Sequence, residues 1–121
     1  MTRATLLALA ERVEAATGAD SECVIREASW AVNVMLANRQ DLHNRVNVLL
    51  SVEAYESAAM SLVPSGIILR NYQSSRFVPH SCEVALSWAH GGWLGNSDHS
   101  FALALAAACL RALAVLEQDN G

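Results

Sequence analysis

The chain has 121 residues, 53% of them hydrophobic and only 17% charged, with twelve acidic and eight basic side chains for a net charge of −4. That size makes 1–121 one domain, able to bury roughly two thirds of the surface its unfolded form exposes. The acidic balance speaks against a nucleic-acid partner, since phosphate tracking needs many clustered cations, and the shortage of charge leaves apolar surface that calls for another partner.

The elements begin with a helix capped by Thr2 or Thr5, in which Leu6, Leu9, Ala10, Val13 and Thr17 fall on one stripe and Glu11 and Glu14 lie outside it. Its apolar start is broken by charge, so MTRATLLALAERVEA reads as a helix rather than a secretion signal. Gly18 ends it as a left-handed cap. Asp20 and Ser21 then cap a second helix, with Val24, Ala28, Ala31 and Met35 on one face, Ile25, Val32 and Leu36 widening it, and Glu22 paired with Arg26. The tight Gly18-Ala19 turn predicts that the two helices pack antiparallel. Trp30 lies between the stripes of the second helix, as a lid over the core or part of a contact.

After the polar group Asn38-Arg39-Gln40-Asp41, Leu42 to Val52 reads as a strand or extended connector: Leu42, Val46, Val48 and Leu50 alternate, though Leu49 breaks the pattern. Ser51 is the expected cap of a short helix from Val52 to Leu62, stopped by Pro64 and Gly66. The β-capable part follows. Ile67 to Tyr72 is a predicted strand, Gln73-Ser74-Ser75 a turn, and Cys82 to Trp88 a half-buried strand with Cys82, Val84, Leu86 and Trp88 on one face. Gly91-Gly92 breaks it, Trp93-Leu94 adds a short return, and the polar run 96–100 caps a last helix.

That helix, FALALAAACLRALAVL from Phe101 to Leu116, carries apolar groups almost all round its axis and must be covered on more than one side, by its own domain and by a second copy meeting it across residues 100–117. It is too short, and interrupted by Arg111, for a bilayer span. The predicted fold class is therefore α+β, a small antiparallel sheet of two to four strands packed between the N-terminal helices and the C-terminal Ala/Leu-rich helix.

Cys23, Cys82 and Cys109 are odd in number, widely spaced and set in apolar segments, the pattern of buried reduced thiols in a cytoplasmic protein. His80 and Cys82 share a strand face and resemble half a zinc site, but in a continuous strand His90 would stand about 33 Å from His80. A metal would need His43, Asp98 or His99 brought in by the fold, and the expectation is no metal and no cofactor. The sequence holds no G-x-S-x-G, phosphate loop, H-E-x-x-H or C-x-x-C, so an enzyme is not expected. The candidate binding residues are Arg70, Tyr72, Arg76, His80, His90 and Trp93, planar and amphipathic side chains at predicted strand ends and turns.

Four segments, LLALAERVEAATGAD at 6–20, YESAAMSLVPSG at 55–66, CEVALSW at 82–88 and SFALALAAACLRALA at 100–114, together resemble the phage ABA-sandwich family of small phage and prophage proteins. The likeness covers most of the chain but not Cys23 to Val52, and serines stand at Ser57 and Ser65 where the family usually has acids. The resemblance implies a helix-sheet-helix fold and a phage setting; it brings no established activity and no site residues. The function expected on these grounds is a non-enzymatic accessory protein in a host cytoplasm that binds and inhibits a host protein such as a defence component. The alternative is an oligomeric binder that sequesters a nucleotide signal, with Arg70, Arg76 and Trp93 gripping phosphate and base; a virion component is a third reading.

Overall fold

A computed structural model describes residues 2–35, 40–63, 67–73, 80–86, 92–97 and 100–120. The chain is mostly helical. In order come α1 (Arg3–Ala15), a single 3-10 turn (Gly18–Asp20), α2 (Ser21–Met35), α3 (Gln40–Ser51), α4 (Tyr55–Met60), strands β1 (Ile67–Gln73), β2 (His80–Leu86) and β3 (Trp93–Ser97), and α5 (Phe101–Asn120).

Helix α1 starts where the Thr2 hydroxyl accepts the Thr5 amide at 3.1 Å, and it buries Leu6, Leu9, Ala10 and Val13. Its end is not a glycine cap. Ala16, in an extended conformation, closes it by donating its amide to Val13, and Gly18 instead opens the 3-10 turn that leads straight into α2. There the Ser21 hydroxyl donates to the Thr17 carbonyl at 3.2 Å. Val24, Ile25, Ala28, Ala31 and Val32 form the buried face of α2.

The stretch read as strand or connector is helix α3. Leu42, Val46 and Leu50 are buried, and their spacing of four serves a helix as well as their even numbering serves a strand. The residue that made the alternation persuasive, Val48, is 65% exposed and contributes nothing to the core. Ser51 is the last residue of α3 rather than the cap of the next helix, and its hydroxyl donates to the Val48 carbonyl. A Schellman turn follows: the amide of Glu53 donates to Leu50 and that of Ala54 to Leu49, with Glu53 at φ 58° where glycine is usual. Only then does α4 begin, shorter than the expected 52–62 helix, burying Ala58 and Ala59. Pro64 and Gly66 lie outside the described residues.

The expected layer order is overturned. The predicted class placed a small sheet between the N-terminal helices and the C-terminal one; instead the fold is helix-dominated and α5 is its centre, packed directly against α1, α2 and α4 as well as against β2 and β3. Burial explains why. Ala102 to Leu110 and Ala112 to Ala114 are all buried, so α5 needs cover all round. In β3, Gly95 and Ser97 are buried while Leu94 and Asn96 are exposed, which suits an outer layer. The strands pair antiparallel in the order β1-β2-β3, with Leu69 opposite Val84, Tyr72 opposite Cys82, Cys82 opposite Gly95 and an irregularity between Leu69 and Asn71. β3 and β2 rest on α5, and β1 stands at the outer edge. Ser100 caps α5, its hydroxyl accepting the Leu103 amide at 3.2 Å.

One ion pair joins three of these elements. Arg111, the single charge in the apolar run of α5, donates from both terminal nitrogens to the carboxylate of Glu14 on α1, and also to the Leu94 carbonyl on β3 at 2.7 Å. The Asn96 amide donates to the same carboxylate at 2.8 Å. Burial by itself would raise the pKa of Glu14, but the hydrogen bonds from Arg111 and Asn96 and the charge of Arg111 outweigh it and hold the pKa below its ordinary value. The hydrogen bond to Glu14 pushes Arg111 upward in turn, against its own burial.

Candidate functional site

Helices α1 and α2 pack more extensively on α5 than on each other, and between them the surface opens into a groove of about 540 Å³. Helix α1 contributes Thr5, Ala8, Leu9 and Arg12; α2 contributes Cys23, Arg26, Glu27 and Trp30; His43 reaches in from α3. The volume lies in the range of ligand pockets, roughly 300–1,000 Å³. Ala8 and Leu9 supply an apolar wall on one side and the Trp30 indole faces it from the other helix.

Trp30 is 51% exposed, which resolves the choice posed by its position between the stripes: it is a surface aromatic beside the groove and not a lid over the core. Val34, one turn further along α2, is 42% exposed and extends the apolar strip. The indole meets the His43 ring edge-on, with centroids 5.7 Å apart and planes at 66°. His43 is held from behind, its Nδ1 lying 2.8 Å from the hydroxyl of the fully buried Ser29. Since Ser29 is sealed from solvent it offers no nucleophile to a substrate; the pair fixes the imidazole and leaves Nε2 as the ring atom available to a ligand.

The charges around the groove are already matched. Arg12 bridges from α1 to Glu27 of α2 at 2.6 Å, and Arg26 donates to Glu22 at 2.8 Å and to Asn47 of α3 at 3.1 Å. The Glu22–Arg26 pair is the one the sequence spacing predicts. Cys23, expected to be buried, is exposed and sits at the junction between this groove and a smaller hollow lined by Ala15, Ala16 and Asp20; Cys109 is buried in α5 as expected. Near the start of α4 another hollow, of about 480 Å³, carries the exposed acids Glu53 and Glu56 beside Tyr55 and Ser100. Among the described residues no three His, Cys, Asp or Glu side chains gather closely enough to hold a metal. Among them, too, no helix is long and apolar enough to cross a membrane.

Four of the residues singled out from the sequence lie on the strands. Arg70 and Tyr72 lie on the outer strand β1, Arg70 at the irregularity in the β1–β2 pairing, and His80 opens β2 opposite Ser97. Trp93 begins β3 opposite Val84 and packs, partly buried, against the core, so it closes the fold instead of standing free at a turn. Arg76 and His90 lie outside the described residues. Trp93, whose side chain is described, does not line the groove. What sequence reading missed is the pairing of Trp30 with His43, because the second residue was hidden in a segment read as extended. The described residues 102–114 of α5 are buried within the chain, apart from a half-buried Arg111.

Comparison with known protein families, with curated proteins and with solved structures finds no match for the chain.

Proposed function

We propose that the protein works by binding, and that its working surface is the groove between α1 and α2 with Trp30 as its anchor. One observation carries this reading: a half-exposed tryptophan, fixed against His43, stands over a mostly apolar groove ringed by ion pairs. Tryptophan is prominent among residues that dominate binding energy, and an apolar centre inside a polar rim is the ordinary layout of a contact surface. The resemblance of segments 6–20, 55–66, 82–88 and 100–114 to phage proteins supplies the setting: an accessory protein that occupies a host protein, such as a defence component, and so inhibits it. The test is capture from an extract of the organism that carries the sequence, with intact protein and Trp30→Ala side by side. A protein retained by the first and lost by the second supports the reading; equal capture by both refutes the groove as the working surface.

The alternative of a sequestered nucleotide is less favoured by this groove, because Arg12 and Arg26 each already hold a carboxylate that a phosphate would have to displace.

A further inference from the structure

We infer that the groove receives an aromatic side chain of the partner protein, presented on a segment that is neutral or basic. The inference rests on the binding role proposed above and adds the chemistry of the contact.

Three features of the groove point to an aromatic guest. Its walls are Ala8 and Leu9 on one helix and the Trp30 indole on the other, a surface suited to a flat apolar group. The indole is held in an edge-on contact with His43, and the buried Ser29 hydroxyl holds His43 in turn, so both rings are set before a guest arrives. Such preorganisation lowers the ordering cost of binding. An incoming ring can also stack on or meet the edge of Trp30 in the geometries aromatic pairs prefer, while the His43 Nε2 is placed to exchange a hydrogen bond with a tyrosine hydroxyl or an indole N–H. Val34, beyond Trp30 on α2, continues the apolar strip outside the groove, where a partner's neighbouring residues would lie.

Charge selects the flanks. The groove's two arginines are already paired, Arg12 with Glu27 of the lining and Arg26 with Glu22 beside it, so an acidic guest would have to displace a carboxylate to reach either cation. The chain as a whole carries −4, which repels acidic segments and draws basic ones. The guest is therefore a phenylalanine, tyrosine or tryptophan side chain without acidic neighbours.

The experiment is an NMR titration of the full chain with three blocked pentapeptides, Gly-Arg-Trp-Arg-Gly, Gly-Glu-Trp-Glu-Gly and Gly-Arg-Leu-Arg-Gly, read at the Trp30 and His43 ring resonances. The first peptide is expected to shift both rings saturably and to bind about tenfold tighter than either of the others. Trp30→Ala and Ala8→Gln, the latter filling the groove from an exposed position of α1, are both expected to abolish the response at His43, with circular dichroism confirming that each variant is folded. Equal binding of the leucine or glutamate peptide, or unchanged binding to a folded variant, overturns the inference. If Trp30→Ala loses the captured host protein while no peptide binds, the aromatic assignment falls and the binding role survives; if Trp30→Ala keeps its capture, the role itself falls.

Discussion

Gly95 of β3 lies directly on the backbone of α5 at Ala104: a methyl group added to it would run into the Ala104 carbonyl oxygen and come within 2.7 Å of the Ala108 amide nitrogen. The strand and the helix thus meet backbone to backbone, which only glycine on one side and alanine on the other allow. The alanine content of α5 has a geometric purpose, letting β3 approach closely on one face while Leu103, Leu105, Leu110 and Leu113 fill the interior elsewhere.

Gly95→Ala is consequently expected to destabilise the fold by about 3 kcal/mol, because a rigid backbone must move to admit the methyl group. Urea unfolding measures it. A loss below about 0.5 kcal/mol would mean that β3 does not rest on α5 at this point.

The Glu14–Arg111 pair is only 20% and 26% exposed and ties α1, α5 and β3 together. Glu14→Gln leaves the guanidinium half-buried without its anion and is expected to cost about 2 kcal/mol. Glu14→Gln combined with Arg111→Gln should cost clearly less than the two single changes added, as a double-mutant cycle of unfolding free energies would show.

The same pair gives stability a dependence on pH. The folded-state pKa of Glu14 is lowered from its ordinary 4.5, so its contribution is fully present above that value and is lost as pH falls through the depressed folded value. Thermal unfolding of the intact protein should therefore move to lower temperature more steeply below pH 4.5 than that of Glu14→Gln. Parallel curves for the two proteins would contradict the pairing.

Glu53 occupies the left-handed position of the Schellman turn after α3 at φ 58°. A side chain there carries a backbone cost that glycine does not, and Glu53→Gly is expected to raise stability by about 0.5–1 kcal/mol. A decrease on urea unfolding would show that the glutamate side chain offsets its own strain.

Much of the helical framework was legible in the sequence, for a physical reason that also explains the failures. In α1, Leu6, Leu9, Ala10 and Val13 are apolar only where the helix meets the core, so the period of the pattern reports the structure. In α3 the pattern serves two masters: Leu42, Val46 and Leu50 satisfy helix and strand alike, and an exposed Val48 tipped the reading the wrong way. The layer order was not legible because a helix apolar all round announces that it needs cover, without saying from which elements. The candidate site suffered most. Trp30 drew notice, but its partner His43 lay within the misread segment. Arg111 did hold a usable signal, since a lone charge in an apolar helix must find a counter-charge, and Glu14 lies outside the apolar stripe of α1.

Trp30→Ala is expected to lower stability by no more than about 2–3 kcal/mol and to leave the protein folded, because half of the indole already faces solvent. The substitution is thus a clean probe of binding, and thermal unfolding verifies it.

The most direct test of the groove as the working surface uses Cys23, which is exposed on its lining while Cys109 is buried in α5. Iodoacetamide labelling of Cys23, quantified by mass spectrometry, should be rapid in the protein alone and at least about tenfold slower in the complex recovered from extract, since a partner seated against Trp30 covers the thiol. Labelling of Cys23 at the same rate in the free protein and in the complex would place the partner on another surface and contradict the account.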